Sequence, residues 1–140
     1  MKSGIILFLL ALAVSAPAAD TNRVDQLKPV SELIQRGQYL VENVGMCAEC
    51  HTPKTDQGAY DRSQWLQGNL LDFKPTVLMP FAAVAPPIAG MPGFTDEQAL
   101  KFLETGIDVT GKRAMAPMPP YRFHPDDARA VLAYLRSLKR

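Results

Sequence analysis

Cysteine and histidine are scarce in this 140-residue sequence. Each occurs twice, as Cys47 and Cys50 and as His51 and His124. A structural zinc ion is bound by four side chains, but His124 lies 73 positions after His51 with no cysteine near it. This scarcity disfavours a structural zinc site and leaves one cluster, Cys47 to His51, as the candidate for chemistry.

The sequence also lacks an excess of charge of one sign and any pattern of alternating strands and helices. Fifteen basic side chains stand against 14 acidic ones, a formal net charge of +1. This balance argues against a nucleic acid or an anionic membrane surface as a partner. Without a strand–turn–helix setting, a thioredoxin-like redox pair at Cys47 and Cys50 is disfavoured as well.

Long apolar runs are confined to the N-terminus. Lys2 precedes an apolar segment over residues 4–14, and small residues follow at 15–19. This is the pattern of a secretory signal peptide, and at roughly 15 residues the segment is shorter than the ~20 that span a bilayer. We therefore expect residues 1–18 to be cleaved. The mature chain would begin near Ala19, without a membrane anchor, and be periplasmic or secreted in a bacterium.

The rest of the sequence is long enough for one small domain. Residues 19–30 are expected to form an N-terminal lead-in and residues 31–140 the domain. Within it, residues 52–94 are rich in proline and show no alternating β pattern. Loops of this length are uncommon without a function. We expect mostly ordered loop here, with one short helix near Ser63–Asn69.

Three longer helices are predicted from capping residues and apolar spacing. The first is capped by Ser31 and runs to about Val44. The second opens with a capping box at Thr95 and stops at Gly106, and the third begins at Pro125 and runs to the C-terminus. A glycine inside a helix costs about 1 kcal/mol relative to alanine. Gly37 therefore predicts a close helix crossing, with Tyr134 of the last helix as its neighbour.

The stretch Cys47-Ala48-Glu49-Cys50-His51 is the attachment pattern for a c-type haem. Each cysteine can add across one vinyl group of a porphyrin, and the next residue is carried under the ring, where its imidazole reaches the iron. An ordinary disulfide between the two cysteines would close a very small loop and leave the histidine without a role. The motif predicts one covalently bound haem c, with His51 as proximal ligand.

The second axial position has one strong candidate, Met118. A thioether favours ferrous iron, and Pro117 and Pro119 on either side stiffen the backbone that carries it. Core packing is the ordinary role of a methionine. An iron without a second protein ligand is one alternative. The others are three more methionines and the second histidine: Met79, Met91, Met115 and His124.

These residues resemble class I-type monohaem c-type cytochromes, most closely those related to cytochrome subunits of membrane-bound alcohol and aldehyde dehydrogenases. The resemblance covers about Leu33 to Leu138. The matching segments are Gly37-Gln38-Tyr39-Leu40, Cys47 to Pro53, Pro86-Pro87-Ile88, Phe94 to Gln98, Pro117 to Tyr121 and Ala133 to Leu138.

The resemblance implies an all-α cytochrome c fold, with three to five helices wrapped around one covalently bound haem and with long proline-rich loops. It implies attachment through Cys47 and Cys50 and axial ligation by His51 and Met118. By the same analogy, the Pro86 carbonyl accepts the other ring N–H of His51. Position 87 is proline where the family usually has asparagine.

The expected function is transfer of single electrons by an electron-transfer protein that is not an enzyme. Redox proteins would be its partners, with a dehydrogenase as donor and a cytochrome or terminal oxidase as acceptor. The alternatives are a cytochrome subunit of a dehydrogenase complex and, with an open sixth site, a peroxidase-type haem enzyme or a gas sensor. Three basic residues near the ligand loop either form a docking rim or are ordinary solvated charges: Lys112, Arg113 and Arg122.

Overall fold

The structure is a computed structural model that describes residues 29–138. Its regular secondary structure is mostly helical. Its elements in chain order are α1 (Val30–Tyr39), a π-helical segment (Leu40–Val44), α2 (Ala48–His51), a 3₁₀ turn (Arg62–Gln64), β1 (Asn69–Leu70), β2 (Val84–Ala85), α3 (Asp96–Thr105) and α4 (Pro125–Ser137). The predicted signal peptide over residues 1–18 lies outside the described residues, as do Lys139 and Arg140.

The first helical stretch covers residues 30–44, close to the predicted range, but its N-terminal cap and the helix type at its C-terminal end differ from the prediction. Pro29 occupies the N-cap position, and its carbonyl accepts from the backbone N–H of Glu32 at 2.9 Å. The expected cap at Ser31 is wrong, because Ser31 is already helical. The backbone of Pro29 has a ψ of 143°, outside the helical range, so the helix begins at the next residue. At the other end, residues 40–44 widen into a π-helix.

The crossing predicted at Gly37 is confirmed and is very close. A methyl group built on Gly37 would overlap the carbonyl oxygen of Ala130 and lie 2.8 Å from Cβ of Tyr134. Both residues belong to α4, so only glycine permits α1 and α4 to approach this closely. Buried side chains pack near this crossing, among them Leu40, Val41 and Val131.

The predicted capping box of α3 and the predicted start of α4 are also confirmed. The Thr95 hydroxyl accepts from the Gln98 backbone N–H while the Gln98 side chain accepts from the Thr95 N–H, and α3 ends at Gly106 in the left-handed conformation (φ 68°). Pro125 is the first residue of α4, and His124 caps it by accepting from the Asp126 backbone N–H. Both helix starts therefore follow from local side-chain chemistry.

The long segment between α2 and α3 contains β structure that the sequence did not predict. Asn69–Leu70 and Val84–Ala85 pair antiparallel, with Asn69 opposite Ala85 and Leu70 opposite Val84. Two-residue strands are too short to show alternation, and 13 residues separate them, so the pairing depends on tertiary contacts. The helix expected near Ser63–Asn69 is a single 3₁₀ turn over Arg62–Gln64.

The loop that follows β2 is fastened to the end of α4. The Gly90 backbone N–H donates to the Leu135 carbonyl at 2.7 Å, and the Arg136 guanidinium donates to the Phe94 carbonyl at 2.7 Å and to Asp96. These bonds satisfy backbone groups that loop structure leaves unpaired. Among the described helices, none has the length and apolar character needed to cross a membrane.

Gly37→Ala should destabilise the fold even though alanine is the better helix former. The gain in helix propensity is about 1 kcal/mol, whereas the added methyl group meets backbone atoms of α4 that cannot move away. Overpacking costs about 1–3 kcal/mol, and an overlap with backbone atoms lies at the upper end of this range, so a net loss of roughly 2 kcal/mol in the free energy of unfolding is expected. Urea denaturation of the haem-loaded protein measures it.

The matched control is Gln38→Ala, the next residue along α1 and an exposed one. Its effect should stay within about 0.5 kcal/mol, as for most surface substitutions. Equal stability of Gly37→Ala and Gln38→Ala would show that α1 and α4 do not meet closely at Gly37.

Candidate functional site

The Cys47–His51 motif folds as a single helical turn that faces a cavity. Cys47 precedes α2 in a helical conformation, and its carbonyl accepts from the backbone N–H groups of Cys50 at 3.3 Å and His51 at 3.0 Å. Residues three apart in a helix share a face. Both thiols and the His51 ring accordingly line the same cavity.

The π-helical segment directs the chain into this turn. Its wide turn lets Gly45 donate from its backbone N–H to Leu40 at 2.7 Å and lets Cys47 donate to Val41 at 2.9 Å. Single π turns of this kind often occur at functional sites. The sequence predicted a helix over these residues but gave no sign of the change in helix type.

Cys47 and Cys50 are not joined to each other by a disulfide. Their surroundings in the polypeptide are not those of a reactive redox pair. Burial raises the pKa of the Cys47 thiol to about 11, and burial and the neighbouring Glu49 carboxylate raise the pKa of Cys50. Reactive redox thiols have a lowered pKa instead, which disfavours the thioredoxin-like alternative.

The His51 imidazole is buried, with 6% of its surface exposed, and its orientation is fixed by one hydrogen bond. Its Nδ1 lies 2.6 Å from the Pro86 carbonyl oxygen. A carbonyl can only accept, so the proton is on Nδ1 and the lone pair of the neutral ring is on Nε2. Burial lowers the pKa of His51, which favours this neutral form. Such a bond is typical of a histidine that binds a metal.

The backbone around His51 is held as firmly as its ring. The His51 carbonyl accepts from the Gly68 backbone N–H at 2.9 Å, and the hydroxyl of the buried Thr52 accepts from the Leu66 N–H at 2.9 Å. Pro86 itself directly follows β2, so the β1–β2 pairing places its carbonyl. The sequence resemblance pointed to Pro86, but no local pattern predicted the strands that position it.

The cavity has a volume of about 800 Å³ and mostly apolar walls. Cofactor sites are commonly about 300–1,000 Å³ and apolar with a few polar groups. Side chains from both ends of the described chain form the walls; representative members are Val41, Ile88, Phe94, Phe102, Val131 and Leu135. A second cavity of about 340 Å³ shares some of these walls.

Met118 lines both cavities, together with His51 and Cys50. The other candidates are placed differently. Met91 lines the larger cavity and is buried, whereas Met115 lines only the smaller one and is exposed. Met79 and His124 line neither of these two cavities, and both are exposed.

The loop that carries Met118 is tied back to the cysteine motif. The Tyr121 hydroxyl donates to the Gly45 carbonyl at 2.5 Å, and the Tyr121 ring stacks on Phe123 with centroids 5.3 Å apart. The Phe123 backbone N–H donates to Leu103 of α3 at 3.1 Å. Tyr121 thus joins the two sides of the cavity, a contact that sequence analysis did not predict because it joins residues 76 positions apart.

The residues at this cavity fit a covalently attached porphyrin. Apolar walls suit the macrocycle, two thiols on one helix face suit its vinyl groups, and an imidazole nitrogen and a thioether sulfur suit the iron. Over residues 29–138, no group of three or more histidine, cysteine or acidic side chains is placed to hold a metal ion.

Comparison with known proteins places the chain among cytochromes. It is similar to the fructose dehydrogenase cytochrome subunit of Gluconobacter japonicus, with 33% identity over 118 residues, 74% of this chain and 21% of that protein. It is also 29% identical over 111 residues to one of the subunits of the nicotinate dehydrogenase of Pseudomonas putida, again 74% of this chain and 9% of that protein.

A third similarity is shorter but closer. It is to a diheme cytochrome c-type protein of Cereibacter sphaeroides, with 56% identity over 34 residues, 24% of this chain and 12% of that protein. The chain thus spans about a fifth or less of the length of these relatives. Residues 32–135 match the family described as cytochrome c oxidase, cbb3-type, subunit III. The chain belongs to this cytochrome c family, whose members bind haem c and transfer electrons.

Proposed function

We propose that this chain carries single electrons through one haem c, which is attached by thioether bonds at Cys47 and Cys50 and ligated axially by His51 and Met118. The observation that carries the proposal is the His51–Pro86 hydrogen bond of 2.6 Å. It presents the Nε2 lone pair of a buried, neutral imidazole to a cavity that the two thiols and Met118 also line.

The chain's residues would set the properties of the bound group, which supplies the Fe(III)/Fe(II) couple. The Pro86 carbonyl fixes the ring plane of His51 and increases its strength as a ligand. The Met118 thioether is a neutral, soft ligand that raises the reduction potential. Because Pro117 and Pro119 restrict the backbone on both sides, the sulfur would move little between oxidation states.

The proposed ligand pair also distinguishes between the candidate functions. If His51 and Met118 both held the iron, no position would be left for a substrate or a gas, so we propose a carrier rather than a peroxidase-type enzyme or a gas sensor. The apolar cavity wall contributes by excluding water, which disfavours the more highly charged ferric state. Membership of a cytochrome c family agrees with this role.

We propose export as the cellular setting. The signal-like segment over residues 1–18 supports it, since it lies before the haem motif and ends in small residues. Covalent attachment of haem c in bacteria takes place outside the cytoplasm, so export and the Cys47–His51 motif require the same compartment. The exported chain would be periplasmic or secreted.

Within that compartment we propose a dehydrogenase as electron donor. Two relatives that cover 74% of this chain are named as subunits of fructose and nicotinate dehydrogenases. The chain would act either as a free carrier or as the cytochrome subunit of such a complex. A cytochrome or terminal oxidase would then accept the electron.

The mass of the exported protein tests attachment and cleavage together. Intact mass spectrometry should give the polypeptide from near Ala19 plus one haem, and the haem should survive denaturation because two thioether bonds hold it. In Cys47→Ser/Cys50→Ser the covalent haem should be lost. A denatured wild-type protein that releases its haem, or carries two, would contradict the proposal.

Paired substitutions test the second axial ligand. The ferric protein should show the far-red charge-transfer band of methionine-ligated haem, and Met118→Ala should abolish it and lower the reduction potential. Met115→Ala is the matched control, three residues away in the same loop, and should keep the band. Loss of the band only in Met115→Ala would overturn the assignment, and avid carbon monoxide binding by the ferrous wild type would indicate an open site.

Reduction by a native dehydrogenase tests the proposed donor. In an anaerobic extract of the organism that encodes the chain, a panel of sugars, alcohols and nicotinate should include a substrate that reduces the added ferric protein. Absorbance of the reduced haem reports the reaction. Omitting the substrate or the extract should abolish reduction. If the protein accepts electrons only from chemical reductants and never from a substrate-driven dehydrogenase, the proposal of a dehydrogenase as electron donor is wrong.

A further inference from the structure

The two adjoining cavities differ in the charge of their walls. Among the described residues, no lysine or arginine lines the larger cavity, and its one acidic wall residue is Glu49. Two cations, Lys112 and Arg113, line the smaller cavity together with a single carboxylate, Asp108. The smaller cavity therefore has a net positive wall, whereas the larger one is essentially apolar.

The two cavities meet around the proposed iron axis. His51 and Met118 line both of them, as does Cys50, whereas Cys47 lines only the larger one. A group held between His51 and Met118 would therefore extend beyond the larger cavity into the smaller one. Its part in the smaller cavity would face Lys112 and Arg113.

The positions of the substituents on a porphyrin explain why a positively charged wall would be useful in the smaller cavity. Its two vinyl groups are on one edge of the macrocycle, and its two carboxylates are on the opposite edge. Thioether bonds at Cys47 and Cys50 would fix the vinyl edge and thereby the direction of the carboxylates. A carboxylate inside an apolar cavity without a partner is costly, so cationic side chains are needed where that edge ends.

We propose that Arg113 and Lys112 bind the two haem carboxylates through the smaller cavity. This inference rests on the proposed function, because it requires the haem. Arg113 is the main partner, since a guanidinium matches a carboxylate with two parallel hydrogen bonds, whereas an ammonium acts as a point charge. It also assigns these residues a role toward the cofactor, in place of a docking rim for an acidic protein.

The backbone that carries these two cations is a rigid turn. Arg113 forms an antiparallel bridge with Ile107, and the Asp108 backbone N–H donates to the Lys112 carbonyl at 2.8 Å. Gly111 completes the turn with a left-handed φ of 81°. A fixed turn of this kind holds the side chains at the cavity with little loss of backbone entropy on binding.

Asp108, the only carboxylate on this wall among the described residues, is already occupied within the turn. Its Oδ1 accepts from the Thr110 backbone N–H at 2.8 Å, from the Thr110 hydroxyl at 2.7 Å and from the Lys112 backbone N–H at 3.0 Å. Hydroxyl and backbone donors thus hold one oxygen of this carboxylate and lower its pKa, and the Lys112 charge also lowers it. Asp108 offsets part of the positive charge on this wall, and the net charge of the wall stays positive.

Arg122 provides a matched control. It is a third basic residue near the Met118 loop and is exposed, as Lys112 and Arg113 are, but it lines neither cavity. Substituting it removes the same charge from the same region of the chain. A contact with the haem carboxylates would change their vibrations in the Arg113 and Lys112 variants, whereas loss of the Arg122 charge would leave them unchanged.

The test compares haem-loaded wild type with Arg113→Gln, Lys112→Gln and Arg122→Gln. A cation beside the ring disfavours the ferric state, so its loss should shift the midpoint potential downward, most in Arg113→Gln and least in Arg122→Gln. The carboxylate bending band in resonance Raman spectra should shift in Arg113→Gln and Lys112→Gln but stay unchanged in Arg122→Gln. Arg113→Lys should restore part of the potential.

Two results would overturn the inference. One is an unchanged Raman band in both cavity variants. The other is an equal shift of the potential in all three variants that disappears at high salt, which would indicate long-range charge alone. Failure of the proposed function looks different, because a protein without covalent haem, or without the methionine-ligated spectrum, would show this already in the wild type.

Discussion

The close crossing of α1 and α4 is the constraint on which the rest of this structure depends. Gly37 allows it, because a side chain there would overlap backbone atoms of α4. The crossing brings together Val41, just after α1, with Val131 and Leu135 of α4, and these side chains serve at once as core and as cavity wall. The volume available to the cofactor therefore depends on how closely α1 and α4, which are far apart in the sequence, pack against each other.

Hydrogen bonds then fasten the loops around that frame. Pro86 holds the His51 ring, Tyr121 holds the turn before Cys47, and Arg136 holds the loop between β2 and α3. Each bond joins segments far apart in the chain and satisfies a carbonyl of irregular backbone. A domain of this size has a limited apolar core of its own, so a bound porphyrin would complete the core that these loops enclose.

Local features were predictable from the sequence, and distant ones were not. The capping box at Thr95 and the start of α4 at Pro125 depend on neighbouring residues, and both were predicted correctly. Gly37 indicated its role because a glycine inside a helix needs a compensating contact. The β1–β2 pair left no local signal, and the sequence placed Lys112 and Arg113 near the ligand loop without indicating a cavity, since both features depend on residues that only folding brings together.

The sequence by itself determined the chemistry of the site: two thiols and an imidazole at fixed spacing, and a methionine held between prolines. Within each of these two motifs the residues are close together in the sequence, so their spacing along the chain is the same in any fold. Only the tertiary structure showed that Met118 lines both cavities together with His51, that the Pro86 carbonyl fixes the imidazole, and that Lys112 and Arg113 line the smaller cavity. Those placements arise from packing between distant segments, whose energies are summed over the whole core and are encoded in no single stretch of the chain.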